Sequence, residues 1–386
     1  MCEHGIYPIF DFDENLRRNP MFLKVVHLID EFSQSNHGVL DAAVATSKIL
    51  SDQGVKSEVW FPQTRSDHSF DFKAATPITL STTSWRGARK HIIGSTLSLA
   101  KTVVVSHGAW RYPTRLGWQV HQLGCNWVYT PHGMLEPWSM RQKWIQKKLY
   151  WRIFEHRFVK HADVIRATSV PEHKNLRSLF PSAQLLPNGV SIPGDRVNNF
   201  DGKKRVLFLG RLHHKKAPVE LVEAWLASTL CQNADFELIV VGNDDGELGK
   251  LQSILERKPS NIKLCPSVYG DAKRHLFERC TFFALPSHSE GFPVALLEAM
   301  AAGLVPLITD GCNLPEAFDA GVAIRLTPFR EHIVEALETI ALFPNQKIAS
   351  FSNAAQRFVR ERYSIESIAA QQLQLYQSLQ SKERRR

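Results

Sequence analysis

Short, nearly continuous apolar runs alternate with helix-length segments along the chain, in two successive series. In the first half, strands are predicted at Phe22–Ile29, Lys56–Phe61, Lys101–His107, Asn126–Thr130 and Asp163–Ser169. Helical segments such as Val39–Gln53 and Pro171–Phe180 separate most of them. The second half gives Lys204–Gly210, Asp235–Gly242, Asn261–Cys265, Thr281–Pro286, Leu304–Thr309 and Val322–Leu326. Strands that are apolar on both faces must be covered on both faces, the condition of a parallel sheet between helical layers. At 386 residues the chain exceeds one ordinary core and suits two domains of roughly 150–200 residues each. The expected fold class is α/β: two doubly wound, Rossmann-like domains facing a central cleft.

A boundary between such domains should be polar and free of strand pattern. Pro187–Lys204, "PNGVSIPGDRVNNFDGKK", has two prolines and three glycines and meets that condition. The expected division is an N-terminal domain over 1–187, a linker over 188–204 and a C-terminal domain over 205–362. A last helix over 363–386 is expected to pack back on the N-terminal domain.

The formal net charge of +9 invites a phosphorylated substrate, anionic lipid or nucleic acid as partner. Much of the excess is local. Between Trp138 and Lys160 stand Arg141, Lys143, Lys147, Lys148, Arg152, Arg157 and Lys160 against the single acid Glu155, with Trp144, Leu149, Trp151, Ile153, Phe154 and Phe158 interleaved. One reading is a helix with a buried aromatic stripe and a solvated basic face. The other is a surface helix lying on anionic membrane, with tryptophans at the interface. The second gives the expected peripheral membrane contact through 138–160. No nucleic-acid module is recognisable, so nucleic acid is not an expected partner. Apolar content is 44%, yet no run approaches the roughly 20 residues of a spanning helix. The first 20 residues do not read as a secretion signal, and the six scattered cysteines contain no C-x-x-C pair. The expected location is cytoplasmic, at the inner face of the cell membrane.

Ligands of doubly wound sheets bind beyond the carboxyl ends of the strands, which directs attention to three loops. Gly38 precedes a helix after the first strand and suits close approach of an anion, or is a plain turn glycine. Arg211 and Lys216 follow the first strand of the second series directly, a natural place to hold two phosphates, although "HHKK" is also an ordinary solvated loop. His213 and His214 should point apart and hold no metal. The third loop is "HSEGFPVALLEAMAAGLVPLITD", His288–Asp310. Glu290 sits in the loop, Pro293 suits a first helical turn, and Glu298 lies further along the same helix. Free N–H groups near Gly291, Phe292 and Val294 would lie between the two carboxylates and meet an anion. Carboxylate, anion site, carboxylate suits one ligand running from hydroxyls over phosphate to hydroxyls: a nucleotide sugar.

"SEGFPVALLEAMAAGLVPL" resembles the E-x7-E signature of retaining glycosyltransferases, above all family 4 of the two-domain GT-B fold. "GRLHHKKAP", "LPNGV" and "TPHGML" resemble three further elements of that family, in the same order. The resemblance implies that Arg211 and Lys216 bind the donor diphosphate, lined from the other side by Gly38. It implies that Glu290 contacts donor-sugar hydroxyls with Gly291 and Phe292, beside Pro293 and Val294, while Glu298 takes the ribose. His132 would reach the donor sugar across the cleft, or else be a hydrogen-bonded loop histidine, the reading preferred for His107. His37 stands where the family often has a second glycine, and Ala217 replaces a glycine after the lysine. No cofactor or metal is implied. The implied activity is hexosyl transfer from a UDP- or GDP-sugar to a glycan or lipid-linked acceptor in bacterial surface polysaccharide synthesis. A GT-B phosphorylase or epimerase, or a non-catalytic sugar- or lipid-binding scaffold, is the alternative.

Overall fold

The computed structural model describes residues 23–32, 37–62, 70–80, 99–193, 202–257 and 261–381. Its N-terminal sheet comprises β1 (Lys24–Leu28), β2 (Lys56–Pro62), β3 (Thr76–Leu80), β4 (Thr102–His107), β5 (Asn126–Thr130), β6 (Val164–Ala167) and β7 (Ala183–Leu185). All pairings are parallel, in the order β3-β2-β1-β4-β5-β6-β7. The second sheet, also parallel, comprises β8 (Lys204–Leu209), β9 (Phe236–Val241), β10 (Ile262–Cys265), β11 (Phe282–Leu285), β12 (Val305–Ile308) and β13 (Ile324–Arg325). Its order is β10-β9-β8-β11-β12-β13. Central strands are buried along their whole length, as in β4, β5 and β9, which is why they read as continuous apolar runs.

Each sheet reverses its winding once, between β1 and β4 in the first and between β8 and β11 in the second. At such a point the loops beyond neighbouring strands diverge and leave a crevice. The loops after β8 and β11 are the ones carrying Lys216 and Glu290, and the pairing Phe282↔Val206 makes their strands neighbours.

The chain crosses between the domains twice. Val190 donates to the Tyr363 carbonyl at 2.9 Å, and Ile365 donates back to Val190 at 3.0 Å. Beyond that bridge the helix Ile365–Ser381 lies on the N-terminal domain, with Leu375, Tyr376 and Leu379 joining Leu23, Val25, Val103 and Val105 in one core. Residues 194–201 of the expected linker lie outside the described residues.

The basic segment is not one helix. It breaks after Pro137–Arg141, where Lys143 takes a left-handed φ of 52°, resumes as Trp144–Tyr150, and passes through a π-helical turn at Trp151–Glu155. Its two inner tryptophans part company. Trp151 packs against the core around Trp127 and Phe180, whereas Trp144 is 58% exposed.

Candidate active site

The C-terminal half of the site is built on the loops after β8 and β11. Lys216 closes a 3-10 turn, His214–Lys216, and its Nζ lies 2.7 Å from Glu290 Oε1. Gly210 leaves the space this requires, because a Cβ there would stand 3.0 Å from Lys216 Cδ. Ala217 adopts the left-handed conformation at φ 52°, a position that favours glycine, so its substitution carries a conformational cost. His213 and His214 do not point apart: their ring centroids are 4.1 Å apart, and His213 Nδ1 accepts from the Lys215 N–H at 3.1 Å. The short turn folds the two rings to the same side.

Glu290 is buried and clamped. Its carboxylate also accepts from Ser287 Oγ at 2.5 Å, its N–H donates to the Gly311 carbonyl, and its carbonyl accepts from Asn313 Nδ2. Burial alone would raise its pKa, but the charge and hydrogen bond of Lys216, with Ser287 and Lys215, hold it below the ordinary carboxylate range. Arg211 pairs with Asp245 at 2.6 Å near the surface. Glu298, on the helix Val294–Ala301, pairs with Lys273 at 2.8 Å. Pro293 stands just before this helix as its cap rather than within it. The Val294 N–H is not free for an anion, since it donates to the Phe292 carbonyl at 3.0 Å.

The N-terminal half centres on three imidazoles. His132, in the loop after β5, meets His107 at the end of β4 through Nε2···Nδ1 at 2.8 Å. His107 in turn meets His27 of β1 through Nε2···Nδ1 at 2.9 Å. Burial lowers all three pKa values, to about 3 for His27 and His132, so the rings are neutral at physiological pH. His132 keeps part of its surface open while His27 and His107 are buried. Its left-handed φ of 52° is held by the neighbouring Gly133, whose N–H donates to buried Glu172 at 2.5 Å. The other Glu172 oxygen accepts from the Thr168 N–H and hydroxyl.

The two halves touch. A Cβ on Gly133 would lie 2.4 Å from Gly291 Cα, and one on Gly291 would lie 2.4 Å from the His132 carbonyl oxygen. Lys215 Nζ sits 4.9 Å from the centroid of the Trp138 ring, again across the cleft. Lys216, Glu290, Gly291 and His132 are thus brought to one place. Phe292 packs toward Tyr363 at 6.0 Å between centroids. Gly38 is exposed at the start of the helix His37–Val44, with nothing within 4 Å of a Cβ there, and among the described residues no contact joins it to the others.

Residues that sequence reasoning missed are partners: Ser287, Asn313, Lys273, Asp245 and Glu172. Glu172 alone had a local signal, the Ser169-x-x-Glu172 spacing of a capping box, and Ser169 Oγ does accept from the Glu172 N–H.

Two family models match the chain in succession: "Glycosyl transferase 4-like domain" over residues 45–189 and "Glycosyl transferases group 1" over 195–366. The chain is 24% identical over 310 residues to the D-inositol 3-phosphate glycosyltransferase of Segniliparus rotundus, covering 70% of this chain and 69% of that protein. It is 30% identical over 194 residues to the O-antigen biosynthesis glycosyltransferase WbnH of Escherichia coli, covering 48% and 52%. The chain therefore spans about half the length of the latter. Its fold is that of Anabaena HepE, solved in complex with UDP and glucose, with a TM-score of 0.71 at 16% identity over 92% of this chain and 100% of that one.

Proposed function

Because this chain belongs to the GT-B glycosyltransferases, with a 4-like domain followed by a group 1 domain, we propose that it is a retaining, metal-independent hexosyltransferase. It would use a UDP- or GDP-sugar and a hydroxyl of a glycan or lipid-linked acceptor in bacterial surface polysaccharide synthesis. The observation that carries the reading is the pair of half-buried Lys216 and buried Glu290 facing His132 and Gly133 across the Gly291 contact. Arg211 and Lys216 would take the donor diphosphate, freeing Glu290 to hold donor-sugar hydroxyls and leaving Glu298 for the ribose. In the transfer step the bond from the sugar anomeric carbon to the phosphate oxygen breaks with its electron pair going to the diphosphate. The acceptor oxygen bonds the same carbon from the same face, and its proton passes to the leaving phosphate. The two cations stabilise the charge that develops. His132, neutral and fixed, orients the sugar.

A thermal-shift screen against UDP- and GDP-sugars in excess EDTA tests this. A donor present at 100 times its Kd stabilises by about 2.7 kcal/mol, a readily measured shift. With no shift from any of them, with or without Mg²⁺, the transferase reading fails; a shift that needs the metal removes metal independence only.

The location proposed is cytoplasmic, on the inner face of the membrane. No helix among the described residues is long and apolar enough to cross a membrane. However, Trp144, Ile145, Leu149, Ile153 and Phe154 are exposed on the basic segment, beside Lys143, Lys148 and Arg152. Such a face supports interfacial attachment, at about 1 kcal/mol per basic residue near an anionic surface. Wild-type protein is expected to float with anionic liposomes at low salt, while Trp144→Ser with Leu149→Ser stays in the pellet fraction. Equal flotation of the two proteins would exclude this face.

A further inference from the structure

The turn that carries His132 toward the other domain is held from behind by one helix. In Val170–Leu179, Glu172 and Asn175 stand three residues apart and so project from the same face. Glu172 Oε1 accepts from the Gly133 N–H at 2.5 Å, and Asn175 Nδ2 donates to Glu136 Oε2 at 2.7 Å. Between these anchors the Glu136 N–H donates to the Gly133 carbonyl at 3.2 Å and closes the turn. It is Gly133 that meets Gly291, and it follows His132 as the second of two successive left-handed residues, at φ 75° after 52°. That conformation is unfavourable for His132, which carries a Cβ, and persists only where the surroundings impose it.

A helix cap does not account for Glu172. The Ser169–Glu172 spacing is that of a capping box, whose acid reaches back to the backbone at the start of its own helix. One Glu172 oxygen does so, accepting from the Thr168 N–H at 2.7 Å and the Thr168 hydroxyl at 2.8 Å. The other crosses to Gly133, 39 residues earlier in the chain. Glu172 is 1% exposed, and burial raises its pKa above the ordinary carboxylate range in spite of these three bonds and the charge of Arg166. Burying a carboxylate here lowers stability, yet only a carboxylate turns acceptors alone toward donors on both sides. Glutamine, of the same shape, must turn its own N–H groups toward one of them.

We propose that Glu172 is a positioning residue of the transfer reaction: it fixes Gly133 against Gly291 and so aims His132 at the donor sugar. This rests on the transferase reading, in which His132 orients that sugar. Glu172 is buried behind the turn and acts only through it.

The test compares the full chain with its Glu172→Gln, Thr168→Val and Asn175→Ala variants. Turnover is read as release of UDP from UDP-glucose, or of GDP from GDP-mannose, to water. Nucleotide affinity is read by calorimetry with UDP and GDP, and the turn by hydrogen exchange at the Gly133 amide. Glu172→Gln should lower kcat by about 10²-fold, the scale of a misplacement of about 1 Å, while the affinity for UDP or GDP is unchanged. Its Gly133 amide should exchange at least about tenfold faster, having lost a hydrogen bond to a charged group. Thr168→Val removes a bond from the far oxygen only and should keep turnover and Gly133 exchange near wild type. Asn175→Ala loosens the other end of the turn, should lower kcat by a smaller factor, and carries the test if Glu172→Gln does not fold. Wild-type turnover in Glu172→Gln, or in Asn175→Ala where the first variant is unfolded, would overturn the proposal. So would equal losses in Glu172→Gln and Thr168→Val, or nucleotide affinity falling in step with kcat, because either makes Glu172 a support of the domain as a whole. If the wild type binds neither nucleotide, it is the transferase reading that falls. The Gly133 exchange rates are read without any donor, and equal rates in wild type and Glu172→Gln would overturn the proposal by themselves.

Discussion

Replacing Lys216 with alanine is expected to lower kcat/KM by about 10²–10³-fold, the scale of losing one preorganised contact to developing charge. Two effects act together. On the proposed role the donor diphosphate would lose a cation, and Glu290 loses the partner that keeps it ionised in a buried position. Arg211→Ala should cost less, because Arg211 is half-exposed and answers to Asp245. The second effect has its own pH signature. In the wild type, Glu290 titrates below the ordinary carboxylate range, so the pair adds stability above the unfolded pKa and loses it as pH falls through the lower folded value. Without Lys216, burial becomes the leading influence and the Glu290 pKa rises. The variant is then destabilised at neutral pH, on the scale of about 3–5 kcal/mol for breaking a buried pair, and recovers part of this as the carboxyl protonates. Urea unfolding of both proteins at pH 5.5 and 7.5 should show the larger gap at 7.5. An equal gap at the two pH values, or turnover within a few-fold of wild type, would sink the role given to this pair.

Gly291→Ala is expected to lower turnover by about 10²-fold while leaving each domain folded and nucleotide binding intact. The new methyl would lie 2.4 Å from the His132 carbonyl oxygen, a distance no Cβ tolerates, so the two halves must stand further apart. Displacement of reacting groups by about 1 Å is enough for a loss of this size. Gly291 has no positive φ, unlike Gly133 at 75°, so the substitution tests the contact between domains rather than local strain. Small-angle scattering should report a larger radius of gyration, and normal turnover with an unchanged radius would dismiss the contact.

The second sheet was legible strand by strand, because each of its members lies inside an apolar run bounded by turn residues, from Lys204–Leu209 to Ile324–Arg325. The first sheet hid two edge positions. Thr76–Leu80 is mostly unburied and contains Pro77, so it lacks the continuous apolar run of a central strand. Ala183–Leu185 is three residues long, too short for any period to show. In the site, the residues predicted to touch ligand were visible as types at spacings, but the partners that set their charge were not. Ser287 alone lies near Glu290 in sequence, whereas Lys216 is 74 residues away and meets it only because β8 and β11 are neighbours. Nor could a helical pattern say that Trp151 turns inward and Trp144 outward. The break at Lys143 and the π-helical turn shift the register between them.

Hydrogen bonds between neutral imidazoles have a direction. His27, His107 and His132 each carry one ring proton at neutral pH, and each of the two bonds joining them needs one. Only two arrangements satisfy both bonds: all three rings protonated on Nδ1, or all three on Nε2. The nitrogen of His132 left for a ligand is Nδ1. In the first arrangement it donates, and in the second it accepts. The three tautomers therefore exchange as one unit, and on the proposed role of His132 the form that the surroundings of His27 favour inside β1 would decide whether a sugar hydroxyl at the cleft met a proton or a lone pair.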